Sequence, residues 1–278
     1  MIQRTRVVCF SLLVTTALLL VQIILSSAVA NSDNKQLPEP PSGPNPGGRS
    51  RGGGSRWRII GGGSGWRITE YRYRLGGVSR SSGCSNYNRR EPEALVPVIT
   101  DSVPRDHVPV VAVLSSSPTL WFSIPKTTTI FATAKFTLQN ESGTNQLYST
   151  KTTVRTPSIV GIPLPGPRPL LQPNKPYVWQ FELGCGDTYD PSSIGGWIER
   201  ITPDAQLSRK LKAAATPQQR LEVYVESGLW FDALDELARM RLKNPNDETL
   251  KAEWDDLLKS AGLDGTSRLP IFLVPVSK

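Results

Sequence analysis

From Ala94 to about Thr202 the chain carries eight short apolar runs separated by proline, glycine, asparagine and aspartate, with no helical period between them. The runs are Leu95–Ile99, Val108–Leu114, Thr119–Ile124, Phe131–Gln139, Gln146–Arg155, Ile159–Leu164, Tyr177–Leu183 and Trp197–Ile201. β-Branched and aromatic residues fill them, and several alternate, with Phe131, Thr133, Lys135 and Thr137 set against Ala132, Ala134, Phe136 and Leu138. A side-chain period of two sends one set to a core and the other to solvent. Strands this short, at a spacing of about 10 to 15 residues, predict an antiparallel, immunoglobulin-like β-sandwich over residues 84–203. Trp121, Trp179 and Trp197 fall on separate strands and are expected in its core. Pro163, Pro165, Pro167, Pro169, Pro173 and Pro176 predict an extended connection that blunts one sheet edge.

After Pro203 the apolar period changes to 3.6. Asp204 caps a first helix to about Ala215; Thr216-Pro217 starts a second that stops at Ser227-Gly228. A third covers about Trp230 to Lys243, ending at Asn244-Pro245, and a fourth runs from Asp247 to Ser260 before Gly262. Tyr224, Gly228, Ala233, Leu237, Met240 and Pro245 resemble one tetratricopeptide unit, although its early tryptophan and leucine are missing. Stable arrays need about three repeats, so residues 204–263 predict a helical hairpin or small bundle on the sandwich. In the tail, 264–278, the apolar Ile271–Val274 is expected to add an edge strand or dock in a groove.

Residues 1–30 have the parts of a secretory signal: Arg4 and Arg6, an apolar run from Val7 to Leu25, then Ala28-Val29-Ala30. The expectation is cleavage after Ala30; the alternative is an uncleaved anchor. Either way the remainder lies outside the cytoplasm, in the periplasm, the envelope or beyond. Between Asn31 and Arg90 there are 11 Lys and Arg against 3 Asp and Glu, whereas Glu91 to Lys278 has 19 against 21. The basic character belongs to one segment. Its Pro, Gly, Ser and Arg content predicts disorder over 31–83. Gly52-Gly53-Gly54-Ser55-Arg56-Trp57-Arg58-Ile59 recurs as Gly61-Gly62-Gly63-Ser64-Gly65-Trp66-Arg67-Ile68, followed by Tyr71-Arg72-Tyr73-Arg74. Arginine interleaved with Trp and Tyr stacks on rings and neutralises anions. Behind an export signal this favours an anionic envelope polymer or lipid headgroups over nucleic acid. The bland alternative is a solvated linker.

Cys84 and Cys185 remain after the signal and are expected to pair in an oxidising compartment. Catalytic chemistry is poorly supplied. His107 is the only histidine, in a turn-like setting beside Asp106. Asp187 and Asp190 lack the further carboxylates of a calcium loop. Glu182 and Glu199 are the least implausible glycosidase pair. No catalytic residue, metal ligand or cofactor is assigned.

Further landmarks follow in order: Leu95-Val96-Pro97, Pro118-Thr119-Leu120-Trp121-Phe122-Ser123-Ile124-Pro125, Tyr177-Val178-Trp179 and Cys185. Then come Gly196-Trp197-Ile198-Glu199-Arg200, Gly228-Leu229-Trp230-Phe231-Asp232-Ala233-Leu234 and Trp254-Asp255-Asp256-Leu257-Leu258. Over about residues 84–263 the chain resembles the cyanobacterial family catalogued as domain of unknown function 928. The resemblance implies an exported or envelope protein and carries over no activity. The chain therefore reads as a non-enzymatic binding or adaptor module with a protein or anionic-polymer partner. One alternative is a carbohydrate-binding or carbohydrate-active protein using an exposed Trp121 or Trp197. The other is a structural docking subunit that presents Trp230, Phe231 and Trp254.

Overall fold

A computed structural model describes Trp66 and residues 68–73, 91–97, 107–166, 170–185 and 191–275. Ten strands are present there: β1 (Ile68–Tyr73), β2 (Glu93–Ala94), β3 (His107–Val113), β4 (Thr119–Ile124), β5 (Phe131–Gln139), β6 (Gln146–Arg155), β7 (Ser158–Pro163), β8 (Pro176–Gly184), β9 (Ser192–Arg200) and β10 (Ile271–Leu273). Four helices follow β9: α1 (Ala205–Ala213), α2 (Pro217–Glu226), α3 (Trp230–Lys243) and α4 (Glu248–Ser260). One sheet has the order β1-β3-β9-β8-β5-β6 and the other β10-β7-β4-β2, giving a sandwich-like, mostly β structure with a helical unit.

The sandwich is not wholly antiparallel. β3 pairs with β9, and β10 with β7, in parallel. Both pairs join segments separated by other elements, and only such long connections can bring strands together in parallel. Three strand expectations also shift. The run expected at Trp197–Ile201 starts five residues earlier, as β9 at Ser192. The run at Leu95–Ile99 forms its ladder earlier, at Glu93–Ala94 opposite β4, and Leu95 N still donates to Trp121 O at 2.8 Å. In addition β1, paired with β3, lies inside the segment whose composition predicts disorder. Its β-branched and aromatic residues outweigh the arginines once β3 offers an edge.

Between the sheets, Phe122 of β4 stacks on Phe181 of β8 at 4.2 Å and 15°, and meets Trp179 edge-on at 5.6 Å. Trp121 stands opposite Gly161 in the β4–β7 pair, and Trp179 opposite Gly196 in the β8–β9 pair. A Cβ on Gly161 would lie 2.7 Å from the Trp121 ring, and one on Gly196 2.4 Å from Trp179 Cζ2. Each indole therefore lies across its neighbouring strand only because that strand has no side chain there.

Every residue of β4 is buried. Phe122 faces the other sheet, while on the opposite face Thr119 accepts a bond from Arg239 of α3 at 3.1 Å. The helices are set by expected caps. Asp204 accepts from Leu207 N, Thr216 and Gln219 form a capping box, and Asp247 accepts from Thr249 and Leu250 N. Gly228 at φ 69° turns α2 into α3.

Candidate functional site

A cleft of about 330 Å³ opens between the sheets where β2 faces β9. Pro92, Glu93, Val96 and Pro97 form one wall; Pro109, Trp179, Gly195 and Gly196 form the other, with Trp197 beside them. Local sequence explains the opening. Pro109 has no N–H to give, and the β3–β9 ladder starts only at Val110 opposite Trp197, so the strands part at the cleft. Gly196 lets the Trp179 indole lie flat behind the opening. Glu93 is exposed at the surface, yet partial burial raises its carboxyl above its ordinary value. Among the described residues it has neither a hydrogen-bond partner nor a cation. One carboxylate against proline and indole walls suits a ligand with a cationic head and an apolar stem.

A second, more polar cleft of about 470 Å³ is lined by Asn140, Glu141, Ser142, Gln172, Lys175 and Tyr177 among others. The Tyr177 hydroxyl there already accepts from Gln172 N at 2.9 Å.

The residues singled out from sequence fare differently. Trp230, Phe231 and Trp254 are each at most 1% exposed, so they form an internal joint and are not available to a partner. Trp230 Nε1 donates to Leu95 O at 2.7 Å, which ties α3 to the end of β2. Trp66 is likewise buried, edge-on to Trp230 at 4.7 Å, and is removed from the anion-binding set by that packing. Tyr71, Arg72 and Tyr73 lie on the β1 backbone. Arg56, Trp57, Arg58, Arg67, Arg74, Cys84, Asp187, Asp190 and the signal segment lie outside the described residues. Cys185 is buried and disulfide-bonded. Trp121 is fully buried and Trp197 is 4% exposed, so neither is an open sugar platform. Glu182 stands opposite Ser193 and Glu199 opposite Pro176 on the β8–β9 pair. That separation is roughly 20 Å along the strands, against about 5 to 10 Å for glycosidase carboxylates. Glu182 is instead paired with Lys135 at 3.1 Å.

Sequence reasoning missed Asp232 and Asp235. Asp232 is buried and accepts from Leu114 N at 2.9 Å and Ser115 N at 3.2 Å, locking α3 to the end of β3. Burial pushes its carboxyl up to about 7 against the pull of those bonds. Burial also raises Asp235, opposed by the charge of Arg239. The one visible signal is an acid inside the apolar stretch from Leu229 to Leu234.

No curated protein matches the chain. Among solved structures it is similar to a β-glucuronidase of Parabacteroides merdae, at 11% identity and a TM-score of 0.24, over 55% of this chain and 32% of that one. So distant a likeness carries no functional argument, and this chain spans about a third of that enzyme's length. The model of one family matches residues 75–271, most of the described sandwich and all four helices. The chain therefore belongs to the family described as Domain of Unknown Function, DUF928.

Proposed function

We propose that the chain is an exported, non-enzymatic binding or adaptor module of the periplasm or cell envelope, with the cleft at Glu93 as its partner site. The observation that carries this is a single carboxylate, without a cation among the described residues, held over proline and tryptophan walls. Such a site supplies charge and apolar area for holding a basic side chain, and no second group with which to turn it over. The bonded, buried Cys185 supports an oxidising compartment, and Cys84 is its proposed partner. The family landmarks support a cyanobacterial source. We read the sandwich as immunoglobulin-like, and the α2–α3 hairpin, turning at Gly228 against the buried Ala233 and Leu237, as tetratricopeptide-like.

The test is a crosslinked pull-down from envelope extract, read by mass spectrometry. Three proteins are compared: the mature chain, Glu93→Lys, and a form lacking residues 31–60, which keeps Trp66 and β1. Salt-stable protein partners kept by the shortened form and lost with Glu93→Lys are expected. Equal recovery with Glu93→Lys, or only salt-labile association lost on shortening, sinks the cleft as the working site. Carbohydrate binding is the second reading, favoured by the amide and hydroxyl groups of the polar cleft at Asn140 and Tyr177.

A further inference from the structure

The end of the β4–β5 loop and the first residue of β5 hold two large apolar side chains in water. Ile130 is 67% exposed and Phe131 60%, whereas every other apolar residue of β4 and β5 is buried. The loop is braced from within. Thr156 Oγ1 donates to Thr129 O at 2.6 Å, Thr127 Oγ1 to Thr129 O at 2.7 Å, and Thr156 N to Ile130 O at 2.9 Å. Two adjacent apolar groups on a braced loop are therefore displayed without a core to enter.

What lies beside them has a sign. Alternation puts Phe131 and Lys135 of β5 on the outer face of the larger sheet, with Lys151 and Arg155 of β6. Register sets Phe131 opposite Arg155 and Lys135 opposite Lys151. Lys135 is paired with Glu182, but Lys151 and Arg155 are exposed and face no carboxylate among the described residues. An apolar tip continued by a cationic strip matches a surface that is hydrocarbon inside and anionic outside. An anionic glycan would satisfy the cations and leave Ile130 and Phe131 in water. A bilayer accommodates both.

We propose that the Ile130–Phe131 tip and the Lys151–Arg155 strip form a docking surface for an anionic lipid bilayer. The inference rests on the reading of the chain as an envelope protein, and it assigns a contact separate from the Glu93 cleft. The side chains would enter the interfacial layer with the exposed β5–β6 part of the larger sheet's outer face turned to the headgroups.

The test is cosedimentation of the full mature chain with vesicles of phosphatidylcholine, alone or with about one third phosphatidylglycerol. Binding to the anionic vesicles is expected to fall at least tenfold in Ile130→Ser/Phe131→Ser and in Lys151→Glu/Arg155→Glu, with thermal unfolding unchanged. Phe131→Trp is expected to add fluorescence that brominated acyl chains quench. Wild-type binding by the Ser variant overturns the proposal, because the basic N-terminal segment is intact in it. So does the absence of any vesicle binding, or equal binding to neutral vesicles. A partner captured through Glu93 in the pull-down would stand in each of those cases, so the two readings fail separately.

Discussion

Two carboxylates in this molecule sit next to tryptophans and have opposite surroundings. Asp232, beside Trp230, is buried and takes two backbone N–H bonds from the end of β3. Glu93, across the cleft from Trp179, is partly open and takes none among the described residues. A buried charge persists when hydrogen bonds replace lost water. Asp232 has two such bonds, which oppose the effect of burial without cancelling it, and it joins the helical unit to the sandwich. Glu93 has no such bond among the described residues, and a cation from a partner would offset its partial desolvation. The comparison predicts that damage at the first site is read in stability and at the second in binding.

The largest effect is expected at the joint. Trp230→Ala removes a fully buried indole, its bond to Leu95 O and its contact with Trp66. Such truncations cost about 3 to 5 kcal/mol, measured by denaturant unfolding. If the helices and sandwich were independent, the loss would instead appear as a second transition with the sandwich midpoint unmoved. The cleft wall comes next. Gly196→Ala places a methyl 2.4 Å from Trp179 Cζ2, and the indole is held in place by Phe122. Overpacking of this kind costs about 1 to 3 kcal/mol. It should also weaken partner binding, whereas Gly161→Ala, its counterpart under Trp121, should lower stability alone.

Asp232→Asn sharpens the contrast. The amide keeps one acceptor oxygen and turns its NH2 toward the other backbone donor, a mismatch that costs about 1 to 3 kcal/mol. The pH dependence is a separate signature. The unfolded chain releases this proton near 3.8, while the folded chain holds it to about 7. The folded state therefore binds more protons between those values. The stability contributed by this group is full below about pH 4 and lost as pH rises through about 7. In the Asn variant that slope disappears. An unchanged slope would assign the proton to another group, with Asp235 the first to examine.

The sequence shows one side of this comparison better than the other. Strand periods and turn residues mark β3 to β9, and Asp204, Thr216-Pro217 and Asp247 mark the helix starts, because those signals are local. β1 was hidden because glycine and arginine around it dominate composition, while its ladder comes from β3, far along the chain. The roles of Trp230 and Asp232 were hidden because their partners, Leu95 O, Leu114 N and Ser115 N, are backbone atoms with no residue signature. The cleft depends on Pro92, Pro109 and Gly196 meeting across two sheets, which no short window contains.

The smallest effect on stability, and the one that decides what Glu93 does, is expected from Glu93→Gln. The substitution keeps size and removes charge at a surface position whose carboxylate has no bond to break among the described residues. Stability should change by no more than about 0.5 kcal/mol, upward if at all, since burial disfavours the anion that the amide replaces. Because the folded state raises this pKa, any gain should appear above the ordinary carboxylate range and vanish in acid, where both side chains are neutral. Unfolding of the two proteins at pH 3 and pH 7 measures this directly. A loss well above 1 kcal/mol at pH 7 would make Glu93 a second structural carboxylate and erase the difference from Asp232. Equal stability with lost partner recovery leaves an outside cation as the group that completes the site.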